Sequence, residues 1–424
     1  MESHAQRQLS PLTRGIAFMQ RQQRDWRVTV ARTSVDKFLY QMVFPYISLY
    51  IVALGASVSQ LGMVISAGMV IAGLMSPFIG WFIDRGGPKR LYLLGIGTLA
   101  ISYLLYGLAQ DWTLTIVAMA AYWLGNSMSI QSCATVCGNC LANRDRATGM
   151  MICESVAAGL LGMAGPIAGA WLVRSFGGVN AGGIRPVFFV CLIGALGTFS
   201  IVWTQLSNRR WGMTGRGAPN LVKDLHQVLK EGRYLKRWLL IASMNQLPMG
   251  MVFPFATVFA HEFKGADEFV LGAMVTGAAL TSVLFGIPLG RLADRAGRKR
   301  VLFLTAPLFW ASILILVWAP HPLLVVAAGV LQGFYYIASP IGAAMERELV
   351  PPEQMGRWLG IARFFKMIAL AALTLASGLI WDRFGPAYVF FAFVGLDVLV
   401  RMPLLVSMPE TLRLRPGSAA PAGG

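Results

Sequence analysis

Three charged side chains stand where an apolar chain should carry none. Glu154, Arg363 and Lys366 lie inside long apolar runs. In a lipid interior an ionised group is costly enough to mark a solute path, a gate or a proton carrier. Arg363 and Lys366 are three residues apart, which puts both on one helix face. The three could form a gate of opposite charges, or a site where an anion meets two cations beside a proton-carrying carboxylate. The alternative is that they snorkel to the nearer interface. Asp397 and Arg401, four apart, also share a face, and Asp36 beside Lys37 reads as an interfacial charge. Thiols offer a second chemistry. Cys133, Cys137 and Cys140 fall on one helical face and could pass a soft or borderline ion such as copper, zinc or iron. Against that, none of the four His lies in an apolar run, and small Cys residues are ordinary helix-packing residues.

A further set of groups occurs twice. Residues 80–90 read G-W-F-I-D-R-G-G-P-K-R and residues 290–300 read G-R-L-A-D-R-A-G-R-K-R. Gly80, Asp84, Arg85, Gly87, Lys89 and Arg90 recur, all at the same shift, as Gly290, Asp294, Arg295, Gly297, Lys299 and Arg300. Six identities at one shift, each time after a long apolar run, indicate an internal duplication. Gly80 and Gly290 are expected to let neighbouring helices approach closely, and Gly87 and Gly297 suit a tight reversal at positive φ. Asp84 and Asp294 are lone carboxylates able to meet an arginine or a helix N-terminus. The flanking Arg and Lys read as topology anchors. Two landmarks extend the repeat: Arg146-Ala-Thr-Gly149 matches Arg357-Trp-Leu-Gly360, and Phe176-Gly177 matches Phe384-Gly385.

The elements that must hold these groups are membrane helices. The chain has 424 residues, of which 56% are hydrophobic and 13% charged, with mean hydropathy +0.60; a soluble domain carries roughly 25% charged residues. Apolar runs of bilayer-crossing length lie near 38–56, 60–82, 91–109, 113–137, 149–173, 186–205, 239–260, 269–290, 301–318, 322–345, 358–381 and 387–407. They are too long and continuous for barrel strands. The expected fold is an all-α membrane protein of twelve transmembrane helices in two pseudo-symmetric six-helix bundles. Its parts are a cytoplasmic arm at 1–37, bundles at 38–205 and 238–408, a linker at 206–237 whose second half is amphipathic, and a disordered tail at 409–424. The arm, with Trp26, Val28 and Val30, is read as lying on the inner leaflet or as a loose basic tail. The net charge of +17 is a matter of topology. Most Lys and Arg fall on one side of the spans, which by the positive-inside rule places both termini in the cytoplasm. Nucleic acid is not an expected partner; the bilayer is.

With the loop G-x-x-x-D-R-x-G-x-K-R in both halves, twelve spans and a central polar linker, the chain resembles the major facilitator superfamily over residues 32–408. That resemblance implies two bundles rocking about a central cavity. It implies that Asp84 latches to the start of span 11 near Arg357, and Asp294 to the start of span 5 near Arg146. It puts span 12 at the periphery, so that Asp397 and Arg401 read as a structural pair. It also makes spans 1, 4, 7 and 10 line the cavity, which selects Gln41, Tyr46, Tyr50, Tyr122, Asn126, Gln131, Asn245, Gln246, Gln332, Tyr335 and Tyr336 as candidate substrate contacts. Amides and phenols on apolar bodies suit an amphiphilic or neutral organic solute, although each singly is common helix–helix glue. Gly165-Pro166-Ile-Ala-Gly169-Ala170 in span 5 resembles the G-P-x-x-G-G element of the family's proton antiporters, with Ala170 in place of the last glycine.

The expected function is therefore secondary active transport of a small organic solute across the inner membrane, proton-coupled, with export favoured over uptake, by a monomer. No Walker loop is present, no cofactor is expected, and no catalytic constellation points to an enzyme. Two alternatives are a transition-metal transporter using the cysteine face and a transport-inactive scaffold or sensor of the same fold.

Overall fold

The computed structural model describes residue 20 and residues 22–141, 157–209, 235–350 and 355–411. Among these every regular element is helical. In chain order they are α1 (Arg24–Val43), a 3-10 turn (Phe44–Tyr46), α2 (Ile47–Ala53), α3 (Val58–Gly86), α4 (Pro88–Leu108), α5 (Thr113–Cys140), α6 (Ala157–Ser175) and α7 (Ala181–Gln205). The second half has α8 (Leu235–Met244), a π turn (Pro248–Val252), α9 (Phe253–Lys264), α10 (Glu268–Ala296), α11 (Arg298–Trp318), α12 (Pro322–Leu349) and α13 (Met355–Phe384). It closes with α14 (Pro386–Leu396), a second π turn (Asp397–Arg401) and α15 (Met402–Val406). Nine helices among the described residues are long and apolar enough to cross a membrane. The remaining three segments are α1–α2, broken by its turn, the amide- and serine-rich α5, and α6, whose run-in lies outside the described residues.

The duplication is visible in the helices themselves. α3 and α10 each have 29 residues, α4 and α11 each have 21, and α5 and α12 each have 28. Positive-φ glycines pair off across the halves as well: Gly55 with Gly265, Gly87 with Gly297, and Gly177 with Gly385. At Gly87 (φ 79°) and Gly297 (φ 113°) one helix ends and the next begins with a single residue between them. Only glycine adopts that backbone without strain.

The first helix starts well before the span expected from the sequence. Residues 24–37 belong to the arm expected from the sequence, but they form the first half of α1 and pack inside the N-terminal bundle. Trp26 is fully buried with Val28 and Val30 against Tyr92, Ile96, Val136 and Val202. Asp25 anchors this end by accepting from the Ser207 amide at 2.9 Å and from the Ser207 hydroxyl, just past the end of α7. Asp36 has an ion-pair partner one turn earlier in the same helix. Arg32 is 2% exposed, pairs with Asp36 at 3.2 Å, and lies 5.0 Å from the Tyr92 ring centre. The helix extends because a half-apolar arm is better buried against three neighbours than left in water. Most of the linker (210–234), with its expected amphipathic helix, lies outside the described residues, as does the tail beyond Thr411.

Candidate functional site

The two bundles meet along a seam, and glycine sets how closely. At the end away from the basic loops, α3 crosses α13: a Cβ added at Gly62 would lie 2.9 Å from the Thr374 carbonyl, and one at Gly378 2.7 Å from the Val58 carbonyl. The second crossing, α6 on α10, has Gly272 equally tight on the Pro166 carbonyl. Polar bonds secure the same end. Asp382 accepts from the Ser59 amide at 3.0 Å, at the start of α3 where the helix dipole favours an anion. Arg174 lies 3.8 Å from Glu268, and Tyr46 donates across the seam to the Glu268 carbonyl at 2.9 Å. Further in, Ser66 donates to Ala371 and Thr276 to the Met163 carbonyl. The opposite end is looser on α10, where a Cβ at Gly286 or Gly290 would meet nothing within 4 Å. Close packing was expected at Gly290; in this conformation its face of α10 is open. Gly80 and the Asp84 side chain lie outside the described residues.

Aromatic groups from both halves fill the centre. Tyr122 stacks on Tyr40 at 5.8 Å, and Tyr40 meets Phe44 at 5.3 Å. From the other half Phe253 touches Tyr336 (5.6 Å) and Tyr335 (5.3 Å). Phe44, Phe253, Gln332 and Tyr336 line one small cavity in the seam, and the Gln332 amide nitrogen, sealed from solvent, has no hydrogen-bond partner among the described residues. The two phenylalanines begin a repeat that the sequence reading missed: Phe44-Pro45-Tyr46 and Phe253-Pro254-Phe255 sit at nearly the same shift as the loops. The first copy forms a 3-10 turn, and the second follows directly on a π turn, irregularities that often mark working sites.

Several expected cavity residues are otherwise engaged. Tyr50 donates to the Tyr106 carbonyl at 2.7 Å inside the N-terminal bundle. Gln41 packs where α1 crosses α6, against Gly162 and Gly165. Asn126 is partly buried on α5, and the Gln131 amide nitrogen is buried with no partner among the described residues. The Gly-Pro element of α6 has a packing role: a Cβ at Gly169 would sit 2.2 Å from the Met42 carbonyl, and one at Gly165 2.7 Å from that of Phe38.

A second group of buried charges, besides Asp25 and Arg32, lies in the C-terminal half. Asn245, Gln246, Tyr335 and Lys366 line a cleft of about 160 Å³ with Glu346, Asp397 and Arg401. Lys366 donates to Glu346 at 2.7 Å, and the other Glu346 oxygen accepts from the Trp358 indole at 2.8 Å. Glu346 was missed because the expected span stopped at 345, whereas α12 runs to Leu349. It is 5% exposed and gives Lys366 a carboxylate from its own bundle; Glu154 lies outside the described residues. Asp397 and Arg401 do form an ion pair, carried on the second π turn, with Trp310 donating to Asp397 at 2.7 Å and Arg401 reaching Asn245 at 3.3 Å. Rather than facing away, the pair borders the cleft. Arg363 crosses the seam, donating to the Ser127 hydroxyl at 3.0 Å.

The loop residues have definite partners. Lys89 donates to the Trp203 and Leu206 carbonyls, and Lys299 donates to the Val406 and Met408 carbonyls. Each lysine thus caps the C-terminal end of the sixth span of its own bundle, where a cation is favoured. Asp294 is 63% exposed and pairs with Arg298, which also reaches Glu348 at 3.2 Å. Glu410 accepts from the Arg298 and Lys299 amides and so caps α11; α4 instead begins with Pro88, which has no amide to cap. Arg85 lies over the Trp81 ring at 4.4 Å, and Arg90, Arg295 and Arg300 are exposed. Arg146 and the Arg357 side chain lie outside the described residues.

The thiol face packs inward. Cys137 and Cys140 are buried, and Cys133 partly so, in the cluster around Trp26 and Tyr92, with Thr33 3.6 Å from the Cys133 sulfur. Among the described residues no group of three or more His, Cys, Asp and Glu side chains is placed to hold a metal ion. The metal-transport alternative finds no support.

Comparisons with known proteins agree with this architecture. The family model described as Major Facilitator Superfamily matches residues 34–244 and 238–421. The multidrug resistance protein MdtG of Dickeya zeae is 28% identical over 280 residues, covering 62% of this chain and 64% of its own length. MdtG of Yersinia enterocolitica is 24% identical over 315 residues, covering 69% of this chain and 71% of its own. The chain thus spans just under two thirds of the Dickeya relative. Solved structures of similar fold include the nucleoside transporter NupG, with TM-score 0.71, 13% identity and coverage of 91% of this chain and 99% of that one. A D-xylose-proton symporter has TM-score 0.71 at 14% identity, covering 91% and 98%.

Proposed function

The chain belongs to the major facilitator superfamily as a multi-pass membrane protein, and on that premise we propose that it exports amphiphilic organic compounds across the cytoplasmic membrane by alternating access, in exchange for protons. One observation carries the reading. Two symmetric bundles touch through glycine crossings at one end of the seam, while aromatic and amide groups from both halves meet at its centre. Such a seam can open at one end as it closes at the other without losing the packing inside either bundle. Large aromatic surfaces and a few amides suit ligands with an apolar body and a polar handle. The name of the MdtG relatives, multidrug resistance protein, supports export of such compounds.

In this reading the basic loops and both termini face the cytoplasm, and the conformation is closed to the outside. Asp84 and Asp294 would latch the bundles in the opposite conformation; here Asp294 rests on Arg298. Glu346 with Lys366, together with Glu154, supplies the carboxylates whose protonation couples to solute movement. The protein works as a monomer. The test is flux in proteoliposomes with an imposed pH gradient, using ethidium and 1-naphthoate as probes of opposite charge. Gradient-driven movement of at least one, abolished by a protonophore, is expected. No movement of either, with protein correctly inserted, would favour the transport-inactive scaffold.

A further inference from the structure

The cleft of about 160 Å³ belongs to one bundle and not to the seam: every residue lining it comes from the C-terminal half. Both π turns border it, one through Pro248 and the other through Asp397 and Arg401. It opens beside Ser339 and Ala343, which are exposed. The internal repeat shows why the space is there. When α4 is set on α11 and α5 on α12 from their first residues, Leu302 stands where α4 has Tyr92, and Gly342 where α5 has Cys133. In the N-terminal bundle those larger side chains fill the place. Tyr92 is fully buried with Arg32 5.0 Å from its ring centre, and Cys133 meets Thr33 at 3.6 Å. Two trimmed side chains, Leu302 and Gly342, face one cleft in helices of otherwise equal length. Helix interiors close-pack and an empty cavity is costly, so a cleft opened in one copy of a repeat is built to be occupied.

The lining says what kind of occupant. Its two cations and two carboxylates are closed on each other, Lys366 on Glu346 at 2.7 Å and Arg401 on Asp397 at 2.9 Å. An ion of either sign would have to break a pair and strand one member in the interior, so the occupant is uncharged. The Asn245 oxygen accepts from Arg401 at 3.3 Å, and its amide nitrogen turns toward Gly342, 3.8 Å from where a Cβ would stand. That nitrogen is a donor suited to a carbonyl oxygen. Phe309 meets Phe393 at 5.5 Å and Tyr335 at 5.9 Å, and the three rings form one wall. Such a wall favours a flat apolar body over water alone. We infer that the cleft is a binding site, separate from the seam, for an uncharged aromatic molecule bearing a carbonyl or carboxamide group. It goes beyond the export reading and stands whether or not that reading holds, because no step of transport is needed to fill it.

The experiment titrates the full chain, purified in detergent, by calorimetry with three probes of similar size: benzamide, benzoate and benzylammonium. Benzamide should bind with a Kd below about 1 mM, within reach of a ligand of its size, and about tenfold or more tightly than either ion. Leu302→Tyr with Gly342→Cys, which gives this half the side chains of the other, should fill the cleft and abolish benzamide binding. Asn245→Ala leaves the cleft open and should weaken binding about fivefold; it decides the matter if the filled variant does not fold. Tyr122→Ala, at the seam, should leave binding unchanged. No benzamide binding by the wild type, as a cleft holding only water would give, overturns the site. So does undiminished binding in either folded cleft variant, or binding lost in a folded Tyr122→Ala. Benzoate or benzylammonium bound as tightly as benzamide overturns the uncharged class.

Discussion

The ion pair of Asp397 and Arg401 shows what a buried charge in this chain requires. Asp397 is 1% exposed, chelated by Arg401 and held by the Trp310 indole. Replacing one partner strands the other in a low-dielectric cleft, which typically costs about 3–5 kcal/mol. Arg401→Met should therefore lower the thermal unfolding midpoint sharply, and adding Asp397→Leu should recover most of the loss. Melting of the single variant at the wild-type temperature would show that the pair is not an isolated buried one. The spacing of this pair was legible in the sequence; its position beside a cleft was not, because one π turn re-aims the face of the last span. The same holds for Lys366. Its charge could be read from the chain, but its partner Glu346 lay one residue beyond the expected end of an apolar run, where composition alone says interface. Tyr46 and Tyr50 are polar groups on an expected cavity helix, yet their hydroxyls are committed to carbonyls. Residue type does not reveal which side of a helix faces a neighbour.

At the scale of elements, close helix approach decides more than polarity does. α6 carries its Gly-Pro run because α1 presses on it, with the Met42 carbonyl 2.2 Å from where a Gly169 Cβ would stand. Gly169→Ala must push the two helices apart, at a cost of about 1–3 kcal/mol for an overpacked site. Thermal unfolding of the purified variant checks this, and an unchanged midpoint would mean the crossing has slack. Helix number and order were readable because twelve apolar runs and one repeated loop leave few other solutions. The start of α1 was not. Residues 24–37 look like a polar arm until the three helices that bury Trp26, Val28 and Val30 are in place, and that burial is a tertiary fact. Lys89 and Lys299 illustrate a middle case. Their positive charge was visible and was read as a topology anchor, while their shared task of capping the sixth span in each half needed the fold.

For the whole molecule, the duplication sets the fold and underlies the proposed mechanism. Equal helix lengths, paired glycine turns and two crossings of like build relate the halves, and in the proposed cycle the seam between them closes at either end in turn. The far end is tied twice and by different chemistry: Asp382 on the Ser59 amide at one crossing, Arg174 beside Glu268 at the other. Those ties must release on every cycle if the account holds. The direct test is a reversible cross-link across the first of them. The full chain carrying Ser59→Cys and Asp382→Cys, reconstituted in proteoliposomes, is assayed for pH-driven flux of naphthoate and ethidium before oxidation, after it, and again after a thiol reductant. The account predicts flux that stops when the disulfide forms and returns when it is reduced. Flux that continues unchanged through a cross-link confirmed by mass spectrometry would contradict it.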